Sequence, residues 1–137
     1  MSWNYLVSPK KVSEVIRASA VLTTSYVALT PIDFDGYKTL ILNCEFTKGS
    51  STGFRIKIEK SDDDKVYVQE QEKTQAGGIS SYSDNEHEKL VSGLTATPEI
   101  PISPIEANFV RVSVMATGGD ATGTLLKITA IKSSLEY

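Results

Sequence analysis

Along much of this chain apolar and polar residues alternate with a period of two, the pattern of strands that bury one face. The clearest case is Phe54-Arg-Ile-Lys-Ile-Glu-Lys60, with Phe54, Ile56 and Ile58 on one side and Arg55, Lys57 and Glu59 on the other. Tyr37 to Thr47 repeats the pattern: Leu40, Leu42, Cys44 and Phe46 share one face, and Thr39, Asn43 and Glu45 the other. Ser61-Asp-Asp-Asp64 supplies turn residues, so Lys65 to Gln71 is expected to return as a hairpin partner of the strand before it. Near the end, Ala107 to Thr117 and Gly123 to Lys132 alternate on either side of Gly118-Gly-Asp-Ala-Thr122, which predicts a second β-hairpin. Its Val110, Val112, Val114 and Ala116 are expected to face the core with Leu126, Ile128 and Ala130.

Other segments carry weaker signals. Residues 1–17 hold Trp3, Tyr5, Leu6, Val12, Val15 and Ile16 without a clean period and read as an N-terminal arm or first strand. From Ala18 to Thr30 the β-branched content rises around a break at Thr23-Thr-Ser25, predicting two strands before the turn at Pro31 to Gly36. Residues 72–98 are rich in Gly, Ser and Asn and read as a long loop of the kind that makes contacts, with Glu88 to Val91 as a short strand. Pro98, Pro101 and Pro104 fit an edge strand or an extended connection better than a central strand. Seven to nine short strands in one domain over 18–137 point to an all-β, single-domain antiparallel sandwich of jelly-roll type, with about eight strands.

Composition narrows the function more than the fold. At 137 residues the chain is one domain long, and a single cysteine, Cys44, rules out an internal disulfide. A net charge of −3, spread without blocks of one sign, favours neither a nucleic-acid groove nor an anionic membrane surface. The first residues lack the basic-then-apolar order of a signal peptide, and no apolar run is long enough to span a bilayer. Cytoplasmic synthesis is the simpler expectation.

Candidate chemistry is sparse. Asp62, Asp63 and Asp64, with Asp33 and Asp35, are the clustered carboxylates, but their spacing lacks the acidic ladder and glycine of a calcium loop, so turn capping is the better account. His87 is the lone histidine, flanked by Glu86 and Glu88 in polar sequence, where exposure to solvent is the ordinary state. Cys44 sits on an apolar face and reads as core. A hydrolase built on these two residues is therefore the weakest reading, and no catalytic, cofactor or metal residues are assigned. Tyr26, Tyr37, Tyr67, Tyr82 and Trp3 are candidates for a sugar-stacking platform, which keeps a carbohydrate-binding sandwich open.

The stretches Ala18 to Pro31, Asp35 to Leu42, Gly53 to Asp63, Asn108-Phe-Val-Arg-Val-Ser-Val114 and Gly123-Thr-Leu125 together resemble small virion proteins of tailed bacteriophages. In such sequences a strand ending in Ser-Asp-Asp, a late Phe-Val-Arg-Val strand and a Gly-Thr-led final strand recur. The resemblance implies a non-enzymatic jelly-roll in the virion, made in the host cytoplasm and acting as a symmetric oligomer, with a trimer favoured. Capsid decoration, through contacts with the major capsid protein or other virion proteins, is the leading expectation. A neck or tail component is the alternative. No nucleic acid, membrane or cofactor is implied. The inter-subunit contacts are expected at the arm, through Trp3, Tyr5 and Leu6, and at the loop around Ile79 and Tyr82.

Overall fold

The inward positions named by the alternation are those that lose their contact with water. Leu40, Leu42, Cys44 and Phe46, then Phe54, Ile56 and Ile58, then Val110, Val112, Val114 and Ala116, and finally Leu126, Ile128 and Ala130 are all buried in one cluster. The structure, a computed structural model, describes residues 11–69, 71–84, 86–102 and 105–134, and for 71–76 and 79–84 it describes the backbone. The described strands in chain order are β1 (Lys11–Val21), β2 (Val27–Ala28), β3 (Ile32–Asp33), β4 (Thr39–Thr47), β5 (Ser51–Ser61), β6 (Val68–Gln69) and β7 (Gln71–Ala76). They continue with β8 (Ile79–Asp84), β9 (Glu86–Leu90), β10 (Thr95–Ala96), β11 (Glu99–Ile102), β12 (Phe109–Gly119) and β13 (Leu125–Ser133).

Two antiparallel sheets enclose the core. One runs β1-β13-β4-β10, with β11 also on β4; the other runs β2-β12-β5-β6, with β3 on β12 and β9 on β5. A chain that alternates between two sheets in this order is a jelly-roll sandwich, the expected fold. Within the three-proline segment Glu99–Ile102 forms β11 at the edge, where Pro101 lies opposite Ile41 and its missing N–H costs no interior bond.

The predicted closing hairpin does not form. β12 pairs with β5 and β13 with β4, so the turn between them crosses from one sheet to the other. The inward faces were read correctly, but they meet across the sandwich and not side by side. Four such crossings share one end of the molecule: β1 to β2, β4 to β5, β9 to β10 and β12 to β13. They hold each other through the backbone. Leu22 N–H donates to Thr124 O at 2.9 Å, Ser50 N–H to Thr122 O at 2.9 Å, and Lys48 N–H to Leu94 O at 2.9 Å. Gly49, at φ +56°, lies so close to the neighbouring crossing that a Cβ there would stand 2.4 Å from the Thr122 carbonyl oxygen. That approach requires glycine.

Two further expectations need correction. Among the described residues of the segment 65–71, Val68 and Gln69 return onto β5, whereas Gln71 already pairs with Asp84. The long loop expected over 72–98 instead contains β7 and β8, paired from Gln71 opposite Asp84 to Ala76 opposite Ile79, followed by β9 and β10. Gly77 and Gly78, with φ of +58° and +79°, close β7 and β8 in a two-residue turn whose twist suits the ribbon.

Candidate assembly interface

β1 is an edge strand that pairs on one side with β13. Lys11 to Val15 stay in unbroken register with Ser133 to Thr129, and shifts follow on either side of Arg17. The Arg17 guanidinium fastens this irregular part, donating from Nε to Leu126 O at 3.1 Å and from Nη2 to Ala20 O at 3.2 Å and Val21 O at 3.0 Å. Bulged, charged edges resist indiscriminate pairing, whereas the regular Lys11 to Val15 stretch has no strand on its outer side among the described residues. The end of β13 is pinned by Lys132, nearly buried, whose Nζ donates to Asp33 O at 2.7 Å, lies 3.6 Å from a Glu14 carboxylate oxygen and sits over the Tyr37 ring.

The opposite flank is built on β5. β9 covers its Gly53 to Lys57 portion and β6 its Glu59 to Lys60 portion, so the β7–β8 ribbon leaves the sandwich between them. Among the described residues β7 and β8 pair only with each other. Below the ribbon, at the end away from the crossings, a cleft of about 370 Å³ is lined by Val66, Val68 and Ala107 and bordered by Asp62, Asp63 and Glu106. The Ser61 to Val66 turn that shapes it uses its carboxylates internally. Asp63 Oδ1 accepts from Lys65 N–H at 2.9 Å, Val66 N–H at 3.1 Å and Ser61 Oγ at 3.0 Å, while Tyr67 Oη donates to Asp64. These donors, Val66 and Lys65 first, hold Asp63 below the usual carboxylate range.

Apolar exposure is concentrated on these two flanks. Among the described residues eight large aliphatic side chains are between 41% and 85% exposed. Val12, Val15, Val21 and Val27 lie on β1 and β2, and Val66, Val68, Leu90 and Leu94 lie on or beside β6, β9 and β10. None is on the four central strands, whose outer faces carry ion pairs such as Arg111 with Glu59 at 3.1 Å and Lys127 with Glu45 at 3.4 Å. A segregation of this kind marks contact surfaces, since scattered exposed aliphatics need no explanation and clustered ones do.

The residues singled out from sequence fall as follows. Trp3, Tyr5 and Leu6 lie outside the described residues. Ile79 and Tyr82 are on β8 of the ribbon, opposite Ala76 and Lys73. Cys44 is buried, and burial pushes its thiol up to about 12. His87, expected to be exposed, is half-buried on β9 opposite Ile56, in the other sheet from Cys44. The described tyrosines each hold a cation of the same chain over the ring. Tyr26 lies under Lys57 Nζ at 4.8 Å and Tyr67 under the Arg111 guanidinium at 4.1 Å, with Tyr37 against Lys132. Burial, reinforced by Glu86, raises the Tyr26 hydroxyl, and burial with Asp64 raises that of Tyr67 to about 12, so both remain protonated donors. Among the described residues no three potential metal ligands gather, and no helix is long and apolar enough to cross a membrane. The flank aliphatics were missed by sequence reading, although Val66 and Val68 flanking Tyr67 beside a turn offered a signal.

No protein-family model matches the chain, and no curated protein matches it by sequence. Among solved structures it is similar to the SPBc2 prophage-derived protein YomS, at 17% identity and a TM-score of 0.51, with 93% of this chain and 96% of that one covered. A chain in the structure of infectious bursal disease virus, Gt strain, aligns at 13% identity and a TM-score of 0.42, covering 90% of this chain and 32% of that one. The Gx strain of the same virus gives 11% identity and a TM-score of 0.39, covering 91% and 40%. The likeness to YomS is one of fold.

Proposed function

We propose that this chain is a non-enzymatic virion structural protein that works as a homo-oligomer, with capsid decoration favoured over a neck or tail position. The observation that carries the reading is the placement of exposed aliphatics on two flanks, together with a ribbon that pairs only with itself among the described residues. A ribbon of two strands is marginal in water and gains its stability by lying against something else. The fold it shares with a prophage-derived protein adds support. A protein of this kind strengthens a shell by burying surface between neighbouring subunits, and association stabilises each folded subunit by mass action.

The carbohydrate-binding alternative is weakened by the described tyrosines, whose rings each carry a cation of the same chain on a face that a sugar would need. Two measurements test the proposal. Light scattering of the purified protein should give a mass several times 14.9 kDa. Co-sedimentation with empty heads of the virus that encodes it should saturate at a fixed number of copies per shell. A monomer that leaves the heads bare would overturn the proposal.

A further inference from the structure

The two flanks differ in shape, yet they correspond in height along the strands. On the first, Val21 lies opposite Leu125 at the end where the crossings gather, and Lys11 to Val15 lie at the other end beside Ser133 to Thr129. On the second, Leu90 lies opposite Gly53 at the crossing end, with Leu94 beside it, and Val68 lies opposite Lys60 toward the other end, where the cleft opens. Charges differ in sign. Glu14 of β1 is paired with Lys132, so the strand presents Lys11 and the Arg17 guanidinium, which donates to the carbonyls of Leu126, Ala20 and Val21. The cleft on the second flank is bordered by Asp62, Asp63 and Glu106 against one cation among the described residues, Lys60, so its lining is net acidic; above it on β9, Glu88 is already paired with Arg55 and Glu86 accepts from the Tyr26 hydroxyl.

Resting on the oligomeric reading above, we infer that the β1–β2 flank of one copy docks against the β6–β9 flank of a second copy of this chain, head to tail, around an axis along the strands. Val21 then meets Leu90 and Leu94, Val12 and Val15 meet the Val66–Val68 cleft, and Lys11 and Arg17 face its carboxylates. The ribbon leaves the second flank at mid-height and reaches toward the neighbour's open β1 edge, where strand addition satisfies backbone groups on both sides. The area is sufficient. An eleven-residue strand is about 36 Å long and two sheets about 10 Å apart make a flank about 20 Å wide. That gives on the order of 700 Å², close to the ~800 Å² per partner of a stable specific contact. Because the two patches differ, the contact is heterologous, and a ring closes when the rotation allows it.

The test uses two full-length variants, Val15→Glu with Val21→Glu, and Leu90→Glu with Leu94→Glu. All four side chains are exposed, so both variants should keep the wild-type far-ultraviolet circular dichroism and melt within a few degrees of it. Each alone should run as a monomer. Mixed one to one they should form dimers and nothing larger, since each pair retains one intact junction. A mixture that stays monomeric would overturn the head-to-tail pairing, as would either variant assembling like wild type. Both of those outcomes leave the oligomeric reading standing, whereas a wild-type monomer removes that reading itself. Replacing the ribbon, residues 71–84, by two glycines gives a second readout: dissociation at least tenfold easier is expected, and unchanged affinity would remove the ribbon from the contact.

Discussion

Cys44 shows how one position is settled by its surroundings. Alternation with Leu40, Leu42 and Phe46 assigned it to the core, and it is buried, with its thiol raised from an ordinary 9.0 to about 12 by desolvation. The fold therefore holds the protonated form. Its contribution to stability is whole below about pH 9, where the unfolded chain also keeps the proton, and is lost as pH rises through about 12. Iodoacetamide at pH 8 should leave native Cys44 unmodified and label it once denaturant is added. Labelling of the native protein at the rate of a free thiol would contradict this. Asp63 shows the same dependence on surroundings: its sequence neighbours suggested a cluster of carboxylates, but its oxygen is committed to the backbone of its own turn.

β5 was legible because its alternation, Phe54, Ile56 and Ile58 against Arg55, Lys57 and Glu59, is enforced by a buried face and a wet one. Phe54 stacks on Phe46 of the opposite sheet with ring centroids 4.8 Å apart, so it joins the two layers. Phe54→Ala should destabilise the domain by about 3–5 kcal/mol, read as a lowered urea midpoint with an unchanged slope. β12 and β13 were legible as strands and misread as partners. A hairpin and a crossing have the same local alternation, and what separates them is the preference of Val112 for Ile58 and of Ile128 for Cys44, far away in sequence. β7 and β8 were missed for a different reason. Their sequence, Gln71 to Ala76 and Ile79 to Asp84, has no alternation of apolar and polar residues, and Gly77-Gly78 was the one local sign of a two-residue turn. The contact residues proposed from sequence, Trp3, Tyr5, Leu6, Ile79 and Tyr82, were chosen because they lie in the arm and the expected loop, whereas the flanks carry exposed valine and leucine, which look like core residues until the partner strands are known.

The sandwich as assembled depends on pairings that span nearly the whole sequence, with β1 beside β13 and β5 beside β12. Loop closure must precede the contacts that reward it, so refolding should take roughly milliseconds to seconds, as for other sandwiches. Stopped-flow circular dichroism after dilution from urea would check this, and completion within microseconds would contradict it. The same β1–β13 pairing sets Lys11 directly across from Ser133. The chain therefore enters β1 and completes β13 at one corner of the sandwich, away from the end where the crossings gather. Passengers joined directly to Lys11 and to Ser133 would start from the same place and compete for the same space. Joining the ends and opening the chain at the Gly77–Gly78 tip would redraw the order of the strands without moving any of them.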